Sequence, residues 1–214
     1  MSITARFGEA LQWTDALHRE QRRKGKTVPY ISHLIAVSAL VWEDGGNEDQ
    51  AIDALLHDAI EDAGQSHGSI SARFGEPVAN IVRDCTDTSP DLKFGEKEPW
   101  LLRKTRYLDS LVHKPESSLL VTAADKAHNA GDMVLDATRD PGMWSKFNTG
   151  LPGSAWYLMR MHEELSQRLP QSRSVLKLGD ALTDILNSST YQDLLPEGET
   201  TEDWTRNYPS RHPS

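Results

Sequence analysis

One short segment concentrates much of the chemistry of this chain. Leu55-Leu56-His57-Asp58-Ala59-Ile60-Glu61-Asp62 supplies an imidazole and three carboxylates within an apolar-edged stretch. An adjacent imidazole and carboxylate can both ligate a metal ion, and Glu61 and Asp62 follow one helical turn later toward roughly the same side. A His-Asp dipeptide alone is weak evidence, so its weight comes from two other segments. His33 stands in Pro29-Tyr30-Ile31-Ser32-His33, and Asp125 follows the apolar run Leu119-Leu120-Val121-Thr122-Ala123-Ala124. A carboxylate behind such a run is buried, and burial without a partner is costly. His33, His57, Asp58 and Asp125 are therefore the candidate ligands, brought from three helices. The competing readings are a backbone-satisfied histidine in a capping region for His33, a core aspartate paired with Lys126 or a nearby histidine for Asp125, and solvated carboxylates near a helix end for Glu61 and Asp62.

Imidazole and carboxylate donors without thiolate suit Mn, Fe, Co or Zn, and the economical chemistry is redox-inert phosphoester hydrolysis. The run Arg22-Arg23-Lys24-Gly25-Lys26 places four cations in five residues of a chain whose formal net charge is −9. It is either a local phosphate-holding patch or a solvated helix end stabilised by the helix dipole. Among the other histidines, His18 is a packed helix residue or lies behind the ligands, and His128 is a local partner of Asp125. His162 beside Glu163 and Glu164 reads as a surface ion pair, and His67, His113 and His212 fall in polar loops or tail.

The elements that position these groups are helical. Phe7, Leu11, Thr14 and Leu17 form the stripe of a first helix that ends at the basic run before Pro29. Ser32 caps a second helix, closed by Asp44-Gly45-Gly46. Asn47 caps a third that runs unbroken through His57 and Asp58 to Gly64. Short helices are expected over Ser69 to Phe74 and from Glu76-Pro77, then a polar connection from Thr86 to Lys97. A helix from Pro99 stops at Pro115, and the next runs from Glu116 to about Asp136. Thr138 to Gly153 is a loop or short helix, and two more helices cover Ala155 to Leu169 and Val175 to Leu186. The spacing predicts an all-α bundle over residues 1–188. Residues 189–214 read as a polar, acidic C-terminal tail, poorly packed from Pro196 onward, with Trp204 an isolated aromatic.

Composition excludes several classes. A single cysteine, Cys85, rules out an internal disulfide and fits a reducing compartment. No apolar run approaches the roughly 20 residues of a membrane span, and the first residues lack the apolar stretch of a secretory signal. A soluble, cytoplasmic protein with no membrane partner is expected. The negative charge argues against nucleic-acid binding, which needs a broad basic face. A small nucleotide is the expected partner, and the oligomeric state is not readable.

Taken in order, His18 through Arg22-Arg23-Lys24-Gly25, Pro29-Tyr30-Ile31-Ser32-His33, the His57-Asp58…Glu61-Asp62 segment and Ala124-Asp125-Lys126-Ala127-His128-Asn129 resemble the HD-domain hydrolases of the RelA/SpoT homologue family, specifically the small stand-alone alarmone hydrolases of metazoan type. The resemblance implies an HD-domain helical bundle. It implies a manganese-dependent enzyme that removes the 3′-diphosphate of guanosine 3′,5′-bis(diphosphate) or its triphosphate relative, giving GDP or GTP and pyrophosphate. In that scheme His33, His57, Asp58 and Asp125 hold Mn2+, and Glu61 and Asp62 position and deprotonate the attacking water. Arg22, Arg23 and Lys24 lie near the nucleotide, with Asn129 close to ribose and metal. By weaker analogy Arg103 and Lys104 reach phosphates and Tyr157 lies at the ribose or base, against plainer readings as an exposed helix face and a core aromatic. The chain departs from relatives at Leu34, where proline is common, and at Thr122-Ala123, where Lys-Leu is usual. Three other outcomes stay open: adenosine alarmones as substrates, NADPH 2′-phosphatase or other HD-domain phosphohydrolase activity, and a catalytically silent nucleotide sensor or partner-neutralising protein.

Overall fold

A computed structural model describes residues 3–89, 91–92 and 94–212. The first two residues of the expected signal-free start and the last two of the expected tail lie outside them. Among the described residues the regular elements are helices, and a lone antiparallel bridge joins Arg22 to Pro29. The all-α expectation holds, and no helix among the described residues is long and apolar enough to cross a membrane. The chain divides into two compact units, Met1–Asp125 and Lys126–Ser214.

The first unit contains α1 (Ala5–His18), α2 (Ile31–Glu43), α3 (Glu48–Leu56), α4 (Ala59–Ala63), α5 (His67–Phe74), α6 (Glu76–Cys85), α7 (Trp100–Ser110) and the opening of α8 (Glu116–Arg139). Asn47 caps α3 through a reciprocal bond with Gln50, satisfying backbone donors that would otherwise be orphaned. Every residue of α3 from Gln50 to Leu56 is buried, so this helix is the spine of the unit. Ile52, Leu55 and Leu56 pack with Ala10, Ile70, Val78 and Val82, while Ala51 and Ala54 join Val37, Val41, Ile81, Val121 and Ala124. Each large side chain so buried contributes on the order of 2 kcal/mol. The run before Asp125 lies in a helix, as expected.

Three local expectations are corrected. The third helix does not run through to Gly64: it stops at Leu56, and His57 and Asp58 form a turn, Asp58 at φ −98° and ψ 3°, before α4. Ser32 is not the cap of α2. Tyr30 occupies that position without a side-chain bond, while the Ser32 hydroxyl donates to the Pro29 carbonyl. The basic run is not a helix end either, because α1 finishes at His18 and Arg22 to Lys26 lie in the following loop.

The second unit carries the rest of α8, then α9 (Gly150–Arg168), α10 (Arg173–Asn187), α11 (Ser189–Gln192), α12 (Thr201–Arg206) and α13 (Tyr208–Arg211). The stretch expected to be a loose tail is packed. Tyr191 is fully buried against Trp204 and bonds the Thr205 hydroxyl, and Tyr208 stacks on Trp156 of α9. Its aromatic residues are spaced too widely for a polar sequence to advertise a buried face.

Candidate active site

The turn between α3 and α4 is what aims the candidate ligands. His57 donates from Nδ1 to the Ala54 carbonyl at 2.9 Å, which fixes the tautomer and leaves Nε2 as the free donor atom for a cation. Nε2 is buried and lies 3.0 Å from Asp58 Oδ2, yet it makes no well-directed hydrogen bond. A buried polar atom in that condition needs an explanation, and a metal ion supplies one. Ligand atoms of His33, His57 and Asp58 all fall within 4.8 Å of one another. Asp125 joins them from α8, its Oδ1 3.3 Å from His33 Nε2 and 3.7 Å from His57 Nε2. All four expected ligands therefore converge, and the donor set of two imidazoles and two carboxylates fits a borderline divalent cation.

Electrostatics agree with a site built for positive charge. Burial would push His57 down, but the Asp58 and Asp125 carboxylates outweigh it and raise the imidazole well above its usual range. Asp58 is held below the usual carboxylate range because His57 outweighs its own burial. Burial pushes His33 down despite Asp125. Tyr30, which the sequence reading quoted without a role, donates from its hydroxyl to Asp58 Oδ2 at 2.6 Å, and burial together with that carboxylate holds its phenol far above the usual value.

Glu61 and Asp62 follow on α4. Each is raised, first by burial and then by a neighbouring carboxylate, Asp87 for Glu61 and Asp58 for Asp62. They are secured from different elements. Lys97, from the connection between α6 and α7, bonds Glu61 Oε1 at 2.7 Å and stands 3.8 Å from Asp62. Gln21 donates its amide to Asp62 Oδ2 at 3.0 Å, and the Gln21 oxygen accepts from His18 Nδ1 at 2.5 Å. His18 is thus a buried orienting residue. Sequence reasoning left Lys97 in a polar connection, and a contact across 36 residues leaves no local signal.

The remaining candidates are placed as follows. Arg23 lies over the Tyr30 ring, 5.8 Å from its centroid. Arg22 is exposed and donates to the carbonyls of Arg19 and Gln21, and Lys24 is exposed on the same loop. Arg103 is buried and paired with Asp87, which Lys104 also bonds at 2.5 Å, so the plainer reading of an exposed face fails for Arg103. Asn129 and Tyr157 belong to the second unit. Tyr157 is buried there, as a core aromatic would be, with Lys126 5.8 Å from its ring. Thr122, the departure from the usual lysine, is buried with its hydroxyl 3.1 Å from that of Tyr107.

A helical fold with His and Asp side chains meeting at the end of a buried helix defines a class, and residues 10–140 match the HD domain family model, so the chain belongs to the HD-domain family. Its relatives are more particular. It is 34% identical over 128 residues to the guanosine-3′,5′-bis(diphosphate) 3′-pyrophosphohydrolase MESH1 of Xenopus tropicalis, covering 58% of this chain and 68% of that one. The Drosophila melanogaster MESH1 is 32% identical over 146 residues, 67% of this chain and 76% of the other. The solved structure of a metazoan ortholog of SpoT that hydrolyzes ppGpp superposes with a TM-score of 0.69 at 26% identity, over 86% of this chain and 97% of that chain. The family expected from the four sequence segments is borne out.

Proposed function

We propose that the chain is a metal-dependent 3′-pyrophosphohydrolase that converts guanosine 3′,5′-bis(diphosphate) to GDP and pyrophosphate, with manganese the physiological ion. The observation that carries the reading is the convergence of His33, His57 and Asp58 within 4.8 Å, a few residues before the raised carboxylates of Glu61 and Asp62, in a chain whose relatives bear that activity in their names.

His33, His57, Asp58 and Asp125 would hold the cation. When bound, such an ion supplies Lewis acidity and neutralises charge developing on a phosphoryl oxygen. The chain's own residues do the rest. Glu61 and Asp62, whose proton affinity burial raises, orient and deprotonate the attacking water. Lys97 and Gln21 hold those carboxylates in place. Arg22, Arg23 and Lys24 offer the substrate's phosphates a positive loop, which a chain of charge −9 must supply locally. Arg103 and Lys104 would reach a phosphate only by exchanging Asp87 for it, so they stand behind that loop.

The test is direct. Full-length protein with Mn2+ is incubated with guanosine and adenosine 3′,5′-bis(diphosphates) and with NADPH, and products are separated chromatographically. Pyrophosphate and GDP are expected, and Asp58→Ala or Glu61→Ala is expected to cut the rate by at least about 100-fold. Release of inorganic phosphate instead would assign the more general phosphohydrolase reading. If every 3′-diphosphate nucleotide survives, the chain is not this enzyme.

A further inference from the structure

Tyr30 touches two of the four candidate ligands, each with a different part of the residue. Its hydroxyl donates to Asp58 Oδ2 at 2.6 Å. Its ring lies 5.6 Å from that of His33, and its carbonyl accepts the His33 amide at 2.9 Å. Tyr30 is itself held in place, because its amide donates to the Gln21 carbonyl at 3.0 Å and the buried His18 ring stands 5.6 Å from its own. A phenylalanine would fill the same space and keep every one of these contacts except the bond to Asp58. The hydroxyl therefore acts through Asp58.

That bond singles out one oxygen. Oδ2, which accepts from Tyr30, is also the Asp58 oxygen 3.0 Å from His57 Nε2. A carboxylate pinned through one oxygen is not free to turn about its Cβ–Cγ bond and offer both oxygens to a cation. Ca2+ takes large, oxygen-rich shells that readily include two-oxygen carboxylates, whereas smaller divalent ions are served by one oxygen per carboxylate. Two imidazoles already disfavour Ca2+, and a one-oxygen Asp58 adds to that bias. The donor is also neutral. A phenol fixes the carboxylate without cancelling its charge, as an ammonium or guanidinium would, so Asp58 remains an anionic ligand.

We propose that Tyr30 is a positioning residue of the cation site, which holds Asp58 as a ligand through one oxygen and so favours Mn2+ over Ca2+. The identity of the ion rests on the function proposed above, whereas the contact rests on geometry alone.

The electron paramagnetic resonance signal of free Mn2+, followed as the ion is titrated into the metal-stripped full-length chain, reads affinity without turnover. Back-titration with Ca2+ then reads preference. Tyr30→Phe should weaken Mn2+ binding at least about tenfold, and the ratio of Ca2+ to Mn2+ that displaces half of the bound Mn2+ should fall at least about fivefold. Tyr191→Phe, which removes another tyrosine hydroxyl bond, that to Thr205, should leave the ratio where it was. An unchanged ratio in Tyr30→Phe would overturn the proposal even if Mn2+ binding weakened, because loss of both ions in parallel is what general loosening produces. An equal shift in Tyr191→Phe would overturn it as well. Hydrolysis of guanosine 3′,5′-bis(diphosphate) by the same preparations keeps the two ideas apart. A Tyr30-dependent preference in a chain that hydrolyses no nucleotide supports the positioning role and removes the activity, while hydrolysis with a Tyr30-independent preference removes the positioning role alone.

Discussion

At the scale of single residues, the acidic pair is governed by groups that lie far away in sequence. Burial and Asp87 push Glu61 up, and the Lys97 ammonium at 2.7 Å opposes them. Removing that cation leaves only the upward influences, so Glu61 would hold its proton to higher pH. We expect Lys97→Met to move the acidic limb of the kcat/KM profile upward and to lower kcat at neutral pH about tenfold, with Lys97→Arg restoring most of both. Rate profiles from about pH 5 to about pH 9 check this. An unmoved limb and unchanged kcat would reduce the contact to an ordinary surface pair, worth less than about 1 kcal/mol. The four candidate ligands were legible as a cluster because each carries its chemistry in its residue type and sits in a recognisable segment. Lys97 and Gln21 were not, because lysine and glutamine in polar stretches look alike whether they face water or a carboxylate. Tyr30 was quoted beside His33, but its bond to Asp58 depends on how two helices meet.

At the scale of elements, the break after Leu56 matters more than helix content. A straight helix would carry His57 and Asp58 onward in register, whereas the turn sets both beside Asp125 from α8. Periodicity could not show it, since apolar residues continue through Ala59 and Ile60 on both sides of the turn, and no glycine or proline marks the place. The connection from α2 to α3 was legible, because Gly45, at φ 81°, and the Asn47 cap are strong local signals. Gly46 between them is a tighter constraint. A Cβ there would stand 2.5 Å from Val41 Cγ1 and 2.9 Å from the Val41 carbonyl oxygen, and the backbone atom cannot step aside cheaply. Since α3 ends at the ligand turn, shifting its start disturbs the site as well as the core. Gly46→Ala is expected to cost about 2 kcal/mol, a fall of roughly 4–8 °C in Tm for a chain of this size. Thermal unfolding followed by circular dichroism measures it, and a Tm within about 1 °C of wild type would show that the connection yields freely.

For the molecule as a whole, stability and catalysis draw on the same interior. Asp53 sits on α3 one turn before His57, fully buried, with Oδ1 unpartnered and Oδ2 4.0 Å from the Cys85 thiol. Burial raises its carboxyl well above the usual range, with Asp84 and Asp58 adding to the rise and His57 opposing it. The folded chain therefore binds this proton more tightly than the unfolded chain does. The stability it contributes is complete below the unfolded carboxylate value, near pH 4, and is lost as pH rises toward the raised folded value. At working pH the buried acid is a cost, consistent with a core that accommodates polar groups beneath its site. Asp53→Asn keeps the shape and removes the titration, so its Tm should gain on wild type as pH increases. We expect a difference at least about 2 °C larger at pH 8 than at pH 5, the shift that close to 1 kcal/mol produces in a chain of this length. A difference that stays constant across this range would mean Asp53 has the same proton affinity folded and unfolded, and that its burial is relieved by a partner such as a bound water.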